Sequence, residues 1–441
     1  MPATPEPEIA LSPDQTAALA ALFAALRGPN REAVLAGAAG TGKTTLMRAV
    51  LAQCGGGVTL LAPTGKAARR LSEVVGADAR TIHSALYAAV EERKDQRKKE
   101  VLVFGDRRGL GDGGLVVVDE ASMVDTALAA DVRAACQAHG STLLWVGDHE
   151  QLPPVSGRWG VPLDRPTACL TQVHRQALES PILDLATCIR EQRASTFARW
   201  TDDAGACSRA RITSMDDAVT WAEAAPDRVL LTWTNRMRQR GNDLTRARRG
   251  LPLRKLMAGE RIVVTFNQHA LGVMNGETFD VVQVKPCPDL SLALEREIVW
   301  AWLDGVESPI LLCPSAFDAH LSKGADTSER AFNREVWAPI WKKEREDILP
   351  LMERAGWDWD DLRTWRNRCN ARSVQATYGY VLTAHKSQGS QYREVGFVSC
   401  PALRGYTDYE FVRRLTYTAV TRAQETFRAF TLDVPDAPEA D

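Results

Sequence analysis

The feature that most constrains this chain is a glycine-rich segment, GAAGTGKTT, at residues 37–45. The preceding run REAVLA is typical of a buried strand, and the following TTLMRAVLAQC has the apolar spacing of a helix. A loop between strand and helix is the context in which the pattern GxxxxGK[ST] binds phosphate, because small residues let backbone N–H groups turn toward phosphate oxygens. The helix N-terminus adds a favourable dipole. We therefore predict an α/β fold that holds a nucleotide by its phosphates.

Each position of this loop has an expected role. Lys43 is predicted to reach the β- and γ-phosphates, and Thr44 to place its hydroxyl on Mg²⁺. The predicted ATP-binding residues are Gly37, Ala38, Ala39, Gly40, Thr41, Gly42, Lys43, Thr44 and Thr45.

Two further strands end in polar residues. The run GGLVVV leads into Asp119 and Glu120, and LLWVG leads into a loop that contains Gln151. An acid at the carboxyl end of a parallel strand can hold Mg²⁺, and its neighbour can take a proton from an attacking water. Kinases with the same loop do not need paired acids, because their nucleophile is a substrate oxygen. The pair therefore favours hydrolysis over transfer to a small molecule.

Composition excludes several classes of protein. The chain has 441 residues, 45% hydrophobic and 25% charged, with a net charge of -2, which indicates a globular protein of two or more domains. Its nine cysteines are scattered without a CxxC pair, so a reduced compartment is expected and a disulfide framework or zinc site is not. Neither a signal peptide nor a membrane-spanning run is recognised, so we expect no membrane association. The charge balance leaves room for one local basic groove only.

Nine segments carry a family resemblance: GAAGTGKTT, LAPTGKAARRL, TIHS, VVVDEASMVD, VGDHEQLPPV, LTQVHRQA, LTWTNRMRQRGN, VLTAHKSQGSQY and LTYTAVTRAQ. Their order resembles that of the motifs of superfamily 1 helicases. The DEAS, GDxxQLPPV and TAHKSQG forms are similar to the RecD/Dda-like branch, which moves 5′ to 3′ on single-stranded DNA, and the chain length is close to that of its small phage members. The resemblance runs from Gln15 to Arg422 and implies an ATP-dependent DNA helicase.

The resemblance implies roles at the ATP site. Gln15 matches the glutamine that reads adenine, Asp119 the Mg²⁺ ligand, Glu120 the general base and Gln151 the γ-phosphate sensor. Arg175 and Arg422 match two arginines that reach the γ-phosphate, and a guanidinium suits the charge that develops there. Gly389 and Gln391 match positions beside the nucleotide. Relatives often carry Glu where this chain has Gln391, so we expect weaker or altered nucleotide discrimination.

Matches at the expected DNA track depend mainly on the resemblance. Short polar donors at strand ends suit contacts with phosphates of any sequence, although threonine and histidine there are more often structural caps. The predicted DNA-binding residues are Pro63, Thr64, Thr81, His83, Phe104, Asn235, Asn242, Thr383, His385, Lys386 and Ser387.

The expected fold comprises two RecA-like motor domains with two insertions. Domain 1A is predicted at 1–87 and 114–178, with a β-hairpin pin, 1B, at 88–113 whose tip carries Phe104. Domain 2A is predicted at 179–280 and 376–434. Domain 2B, an SH3-like barrel with a helical excursion, is predicted at 281–375, and 435–441 as a disordered tail. Seven of the twelve tryptophans fall in 281–375 and are interpreted as core rather than as platforms for bases.

The expected partners are single-stranded DNA and its junctions with duplex, with ATP and Mg²⁺ as cofactors. We expect a monomer in a bacterial cytoplasm or nucleoid, or in a phage-infected cell. Three alternatives stay open: an RNA helicase or a translocase that displaces proteins, a small-molecule kinase, and an adaptor whose ATPase has decayed. The helicase motifs and the complete set of catalytic residues argue against the last two.

Overall fold

The fold is taken from a computed structural model. It describes residues 11–54, 56–86, 110, 113–154, 158–172, 180–191, 205–252, 255–265, 268, 271, 273, 275–288, 297–314, 317, 352–353, 356–358, 360–361, 364, 369, 371–399 and 408–432. The predicted pin at 88–113 and Phe104 fall almost wholly outside these residues.

A six-stranded parallel sheet forms the amino-terminal part of the fold. Its strands are β1 Glu32–Gly37, β2 Val58–Ala62, β3 Ala79–Thr81, β4 Leu115–Val118, β5 Thr142–Gly147 and β6 Ala168–Leu170. Their order is β3-β2-β4-β5-β1-β6, and all neighbours run parallel. Parallel strands need crossover connections, and the helices supply them. These are α2 Lys43–Gln53, α3 Gly65–Val75, α4 Ile82–Leu86 and α5 Thr126–Ala138, whereas α1 Pro13–Leu26 precedes β1.

Both faces of this sheet are buried, which explains its continuous apolar runs. In β4, Val116 and Val118 pack into one core cluster with Trp145, whereas Leu115 and Val117 pack into the cluster on the other face. Successive side chains of a strand point to opposite faces, so a run such as LVVV serves two cores at once.

An antiparallel sheet has the order β12-β11-β10-β9-β13. Its strands are β9 Arg261–Val264, β10 Thr278–Pro286, β11 Val299–Leu303, β12 Ile310–Leu312 and β13 Ala376–Tyr378. It therefore includes strands on both sides of the segment 281–375. Trp300 and Trp302 alternate with the buried Val299, Ala301 and Leu303 and are only half-buried. The prediction that these two tryptophans belong to the core is wrong. Alternate side chains of a strand point to opposite faces, so Trp300 and Trp302 lie on the face opposite to the buried residues.

A third sheet has the order β14-β8-β15-β16-β7. Its strands are β7 Cys207–Ile212, β8 Arg228–Thr232, β14 Val381–Thr383, β15 Tyr392–Ser399 and β16 Ala423–Leu432, and β14 pairs with β8 in parallel. Further helices in the described part are α6 Pro181–Arg190, α7 Met215–Glu223, α8 Asn235–Arg248 and α9 Tyr409–Val420, with short 3₁₀ turns at Ala121–Met123 and His385–Ser387.

The chain divides into two compact units. The first comprises residues up to Ala210 with Ser387–Val395 and 405–428, and the second comprises Arg211–Lys386 with 396–404 and Ala429 onward. The predicted α/β class with parallel sheets is confirmed. No helix in the described part of the chain combines the length and apolarity that a membrane span requires.

Candidate active site

The phosphate loop follows β1, as the sequence predicts. Gly40 and Gly42 have φ of 78° and 83°, a left-handed conformation that glycine adopts without steric cost. A Cβ on Gly37 would meet Thr41 Oγ1 at 2.6 Å, so only glycine lets the loop close. Helix α2 begins at Lys43 without any side-chain hydrogen bond to its first turn. Its amino-terminal N–H groups are therefore not capped by a side chain.

Lys43 lies inside the loop, and its Nζ donates to the carbonyls of Gly37 at 2.7 Å and Ala38 at 2.9 Å. Thr41 also donates to Ala38 O, at 2.9 Å. Thr44 and Thr45 are exposed at the start of α2. The ammonium group is thus held at the centre of the predicted phosphate cradle.

Asp119 and Glu120 follow β4 in the same sheet. Burial, reinforced by the charge of Glu120, raises the pKa of Asp119 to about 6, against the opposing effect of Lys43. The carboxyl group is therefore close enough to Lys43 to sense its charge. Glu120 has φ of 52° and ψ of 40°, a left-handed backbone that a non-glycine residue adopts at a cost. Such outliers are concentrated at functional sites.

The turn after β5 carries Gln151. The Gln151 N–H donates to Asp148 O at 3.2 Å, and Asp148 Oδ1 accepts from Glu150 N at 3.0 Å, so Asp148 organises the turn. Gln151 is 5% exposed, and its Oε1 has no hydrogen-bond donor among the described residues. A buried amide oxygen of this kind is suited to accept a hydrogen bond from a water molecule.

Arg422 lies two residues after α9, within the first unit. Its guanidinium donates to Thr418 O, Ser390 O and Thr421 Oγ1, each at 3.2 Å, and it is 3% exposed. Burial lowers its pKa, against the opposing effect of the Glu120 carboxylate. No carboxylate lies within ion-pair distance of Arg422 in the part of the chain that the structure describes. Arg175, the other predicted arginine, lies outside the described residues.

Gln15 contacts the loop, but in an arrangement that was not foreseen. Its Oε1 accepts from Ser12 N at 3.0 Å while its own N–H donates to Ser12 Oγ at 3.2 Å, which is a capping box. Its Nε2 donates to Gly42 O at 3.5 Å, and the residue is 3% exposed. The pattern Ser12-x-x-Gln15 could have predicted the cap. In the structure, the amide connects α1 to the phosphate loop.

The two remaining ATP-site candidates lie after the 3₁₀ turn at Ser387. Gly389 has φ of 71°, and a Cβ there would meet Ala67 Cβ at 2.9 Å and Thr64 Oγ1 at 3.2 Å, so its loop packs closely on the start of α3. Gln391 is exposed and accepts from Gln424 Nε2 at 3.4 Å.

The DNA candidates of the first unit are engaged in local structure. Thr64 caps α3 by accepting from Ala67 N at 3.3 Å. Thr81 accepts from Ser84 N at 3.1 Å, which closes the start of α4. Pro63, which precedes Thr64, and His83, two residues after Thr81, are half-buried. Ser387 is fully buried. Both threonines therefore act as caps, and a contact with phosphate remains a prediction.

In the second unit, one DNA candidate does not fit its predicted role. Asn242 is fully buried in α8: its Oδ1 accepts from Tyr380 N at 3.0 Å and Val381 N at 2.9 Å, and its Nδ2 donates to Tyr378 O at 3.1 Å. Its amide is saturated by the turn between β13 and β14, so the predicted DNA contact of this side chain is wrong. Asn235, at the start of α8, is exposed.

The other candidates of the second unit follow β14. Thr383 is buried and accepts from Lys386 N at 3.3 Å, whereas Lys386 and His385 are half-buried. Burial lowers the pKa of His385 and so favours the neutral imidazole.

Sequence reasoning missed two residues of α9, Arg413 and Tyr417. The Tyr417 hydroxyl donates to Asp148 Oδ2 at 2.8 Å and accepts from Ala39 N, in the phosphate loop, at 2.9 Å. Arg413 forms an ion pair with Glu150, in the turn that carries Gln151. Nothing in the spacing of these residues indicates that they meet, because 269 positions separate Asp148 from Tyr417.

These features fit a nucleoside triphosphate with a divalent cation. The free N–H groups at the start of α2 and the buried guanidinium of Arg422 are suited to bind an anion. The amide oxygen of Gln151, which has no donor among the described residues, is suited to bind a water molecule. Thr44 and Asp119 would supply two oxygen ligands for Mg²⁺, an ion that takes its other ligands from phosphates and water. When bound, ATP supplies the phosphoanhydride bond that is cleaved.

Two parts of the chain match known protein families. Residues 10–211 match the family described as AAA domain, and residues 378–428 match the UvrD-like helicase C-terminal domain. The ATP-dependent RecD2 DNA helicase of Deinococcus radiodurans is 41% identical over 165 residues, 36% of this chain and 21% of that protein. The ATP-dependent DNA helicase dda of Enterobacteria phage T4 is 31% identical over 195 residues, 41% of this chain and 42% of that protein.

A third relative, the RecBCD enzyme subunit RecD of Mycobacterium tuberculosis, is 34% identical over 139 residues, 28% of this chain and 24% of that protein. The chain thus spans between a fifth and about two fifths of the lengths of these relatives. The resemblance to the RecD/Dda-like helicases that the motifs predict is confirmed over the matched segments.

Proposed function

We propose that this relative of the RecD/Dda-like superfamily 1 helicases is an ATP-driven motor that moves 5′ to 3′ along single-stranded DNA and unwinds duplex ahead of it. The observation that supports it best is the set of groups that the first unit brings to the Lys43 loop. A half-buried acid pair, a buried amide oxygen and a buried arginine that has no carboxylate partner among the described residues are what hydrolysis of a γ-phosphate needs.

The residues divide the chemistry among themselves. The N–H groups around Gly40 and Lys43 hold phosphate oxygens, and Thr44 and Asp119 hold the cation. Glu120 accepts a proton from the attacking water, which Gln151 orients through its amide oxygen. Arg422 stabilises the negative charge that develops on the γ-phosphate oxygens, where a buried guanidinium acts more strongly than in water. By its resemblance to the family motif, Arg175 is proposed to be a second arginine that stabilises the charge on the γ-phosphate.

A second candidate within the class is an RNA helicase, or a translocase that displaces proteins with little unwinding. The same hydrolytic residues would serve each of these activities. The relatives named as DNA helicases favour DNA.

Steady-state ATP hydrolysis with and without single-stranded DNA tests the proposal. We expect strong stimulation by DNA and loss of turnover in Lys43→Ala and Glu120→Gln. Glu73→Gln is the control, because Glu73 is exposed on α3 and has no proposed role in ATP hydrolysis. Equal turnover with and without any nucleic acid would contradict the proposal.

Substrate and direction need a second measurement. Unwinding of 5′-tailed and 3′-tailed duplexes of DNA and RNA separates the candidates: we expect activity on the 5′-tailed DNA only. Displacement of streptavidin from a biotinylated strand without unwinding would favour the translocase.

A further inference from the structure

The Tyr417 hydroxyl connects two parts of the candidate active site. It accepts a hydrogen bond from Ala39 N in the phosphate loop and donates one to Asp148 Oδ2. Tyr417 is 1% exposed, and burial, reinforced by the Asp148 charge, raises its pKa well above the ordinary value. The raised pKa favours the protonated phenol, the form that can donate to Asp148.

The Asp148 carboxylate extends this connection to Gln151. One of its oxygens accepts from Tyr417, and the other accepts from the N–H of Glu150 in the turn that ends at Gln151. The backbone carbonyl of Asp148 accepts from Gln151 N itself. A shift of Tyr417 would thus be transmitted to the turn through a single carboxylate.

Three further contacts fasten the same turn to the carboxyl-terminal segments of the first unit. Leu152 N donates to Thr418 Oγ1 at 3.0 Å, and Leu152 O accepts from Gln388 Nε2 at 3.0 Å. Arg413, one turn of helix before Tyr417, pairs with Glu150. Both backbone groups of Leu152 are therefore satisfied by side chains distant in sequence.

Helix α9 also determines where Arg422 lies. Arg422 Nε donates to the carbonyl of Thr418, the residue next to Tyr417. Hydrogen bonds to the consecutive residues Tyr417 and Thr418 of α9 accordingly connect the phosphate loop, the Gln151 turn and the arginine.

We propose that Tyr417 is a positioning residue for ATP hydrolysis: its hydroxyl holds the Ala39 amide and the Asp148 carboxylate in one arrangement and so aligns Gln151 and Arg422 with the γ-phosphate. The inference rests on the proposed ATPase function and adds to it a residue that acts through others. The phenol itself does not enter the chemistry.

The substitution Tyr417→Phe tests this role, with Tyr409→Phe as the matched control. Tyr409 lies on the same helix and is 81% exposed. We expect Tyr417→Phe to lower kcat for DNA-stimulated hydrolysis by about 10- to 100-fold, the effect of a small misalignment, with KM for ATP within about threefold. Tyr409→Phe should match the wild type in both. A kcat for Tyr417→Phe equal to that of the control would overturn the inference and leave the proposed function standing.

Amide hydrogen exchange gives a readout that does not depend on turnover. In nucleotide-free protein we expect peptides covering residues 38–45 to exchange faster in Tyr417→Phe than in Tyr409→Phe, because Ala39 N loses its acceptor. If the wild type shows no DNA-stimulated hydrolysis, the proposed function fails. Hydrogen exchange alone then decides whether the Tyr417 hydroxyl holds the phosphate loop. Unchanged exchange would then overturn it.

The single variant removes the donor of one buried carboxylate oxygen, Asp148 Oδ2, and could fail to fold. The double variant Asp148→Asn with Tyr417→Phe removes that charge and keeps the experiment open. A persistent loss of kcat in the double variant, no larger than that of the worse single variant, supports a shared role, because residues that act as a unit are not additive. Wild-type kcat in the double variant would overturn the inference.

Discussion

Glu120 combines its proposed function as base with a left-handed backbone. It shares a positive φ with only one other non-glycine residue of the described part, Arg31. An L-residue in this conformation costs about 1 to 2 kcal/mol, which glycine avoids, although glycine loses some of the gain through its freer unfolded chain. We therefore expect Glu120→Gly to unfold with a free energy about 1 kcal/mol higher than Glu120→Ala, measured by urea denaturation.

Both Glu120 variants lack the carboxylate, so neither should hydrolyse ATP. The difference in their stability therefore measures only the cost of the left-handed backbone at this position. Arg31→Gly against Arg31→Ala calibrates the same effect away from the site, since Arg31 has φ of 50°. Equal stability of the two Glu120 variants would show that the local structure relaxes at no cost.

The raised pKa of Asp119 should make the free energy of unfolding depend on pH. Its pKa rises from 3.8 to about 6 on folding, chiefly through burial. The folded state thus prefers the protonated acid, so the contribution of Asp119 is most favourable below about pH 4, declines as the pH rises to about 6 and is constant above. A shift of about two units corresponds to at most about 3 kcal/mol.

The variant Asp119→Asn does not titrate, so its advantage over the wild type should grow between about pH 4 and pH 6 and then level off. Urea denaturation across this range in buffer without Mg²⁺ or nucleotide measures it. Asp164→Asn, which removes a charge from an exposed position, is the control. A difference between Asp119→Asn and wild type that is independent of pH would contradict the prediction.

At the level of elements, the cap of α1 is linked to the active site. Ser12 and Gln15 satisfy each other's backbone N–H groups, and the Gln15 amide reaches Gly42. Removing an N-cap hydroxyl costs about 1 kcal/mol, whereas aspartate caps as well as serine does. We expect Ser12→Ala to lower the free energy of unfolding by about 1 kcal/mol and Ser12→Asp to restore most of it. An aspartate variant no more stable than the alanine variant would argue against the cap.

The elements that the sequence predicts well are those with local signals. The strand, loop and helix around Lys43 follow from glycine spacing and apolar periodicity, and the acid pair follows from its place after LVVV. Tyr417 and Asp148 meet only because the carboxyl-terminal segments fold onto the first sheet, and no local pattern encodes that contact. Asn242 shows the converse: its motif position suggested DNA, but the face of α8 that carries it is buried against β13 and β14.

At the scale of the whole molecule, the candidate ATP-site residues that the structure describes all belong to the first unit. The second unit holds a separate buried ionic cluster. Arg246 and Glu260 form an ion pair at 2.7 Å with side chains 2% and 1% exposed, and the guanidinium also lies 3.9 Å from the Tyr378 ring centroid. Burial lowers the pKa of Arg246, but the hydrogen bonds that its guanidinium donates to the Glu260 carboxylate outweigh this effect and leave the pKa raised.

Breaking this pair should destabilise the second unit selectively. Loss of one partner of a buried ion pair costs about 3 to 5 kcal/mol, because the other charge stays buried without compensation. Glu260→Gln should therefore lower the urea midpoint of a transition that belongs to the second unit, while ATP affinity in the absence of urea stays as in the wild type. The matched control is Asp280→Asn, which breaks the exposed pair of Arg261 and Asp280 in the same unit and should cost less than about 1 kcal/mol. Equal effects of the two substitutions would show that the buried pair contributes no more than the exposed one. A loss of ATP affinity in Glu260→Gln without urea would show that the effect is not confined to the second unit.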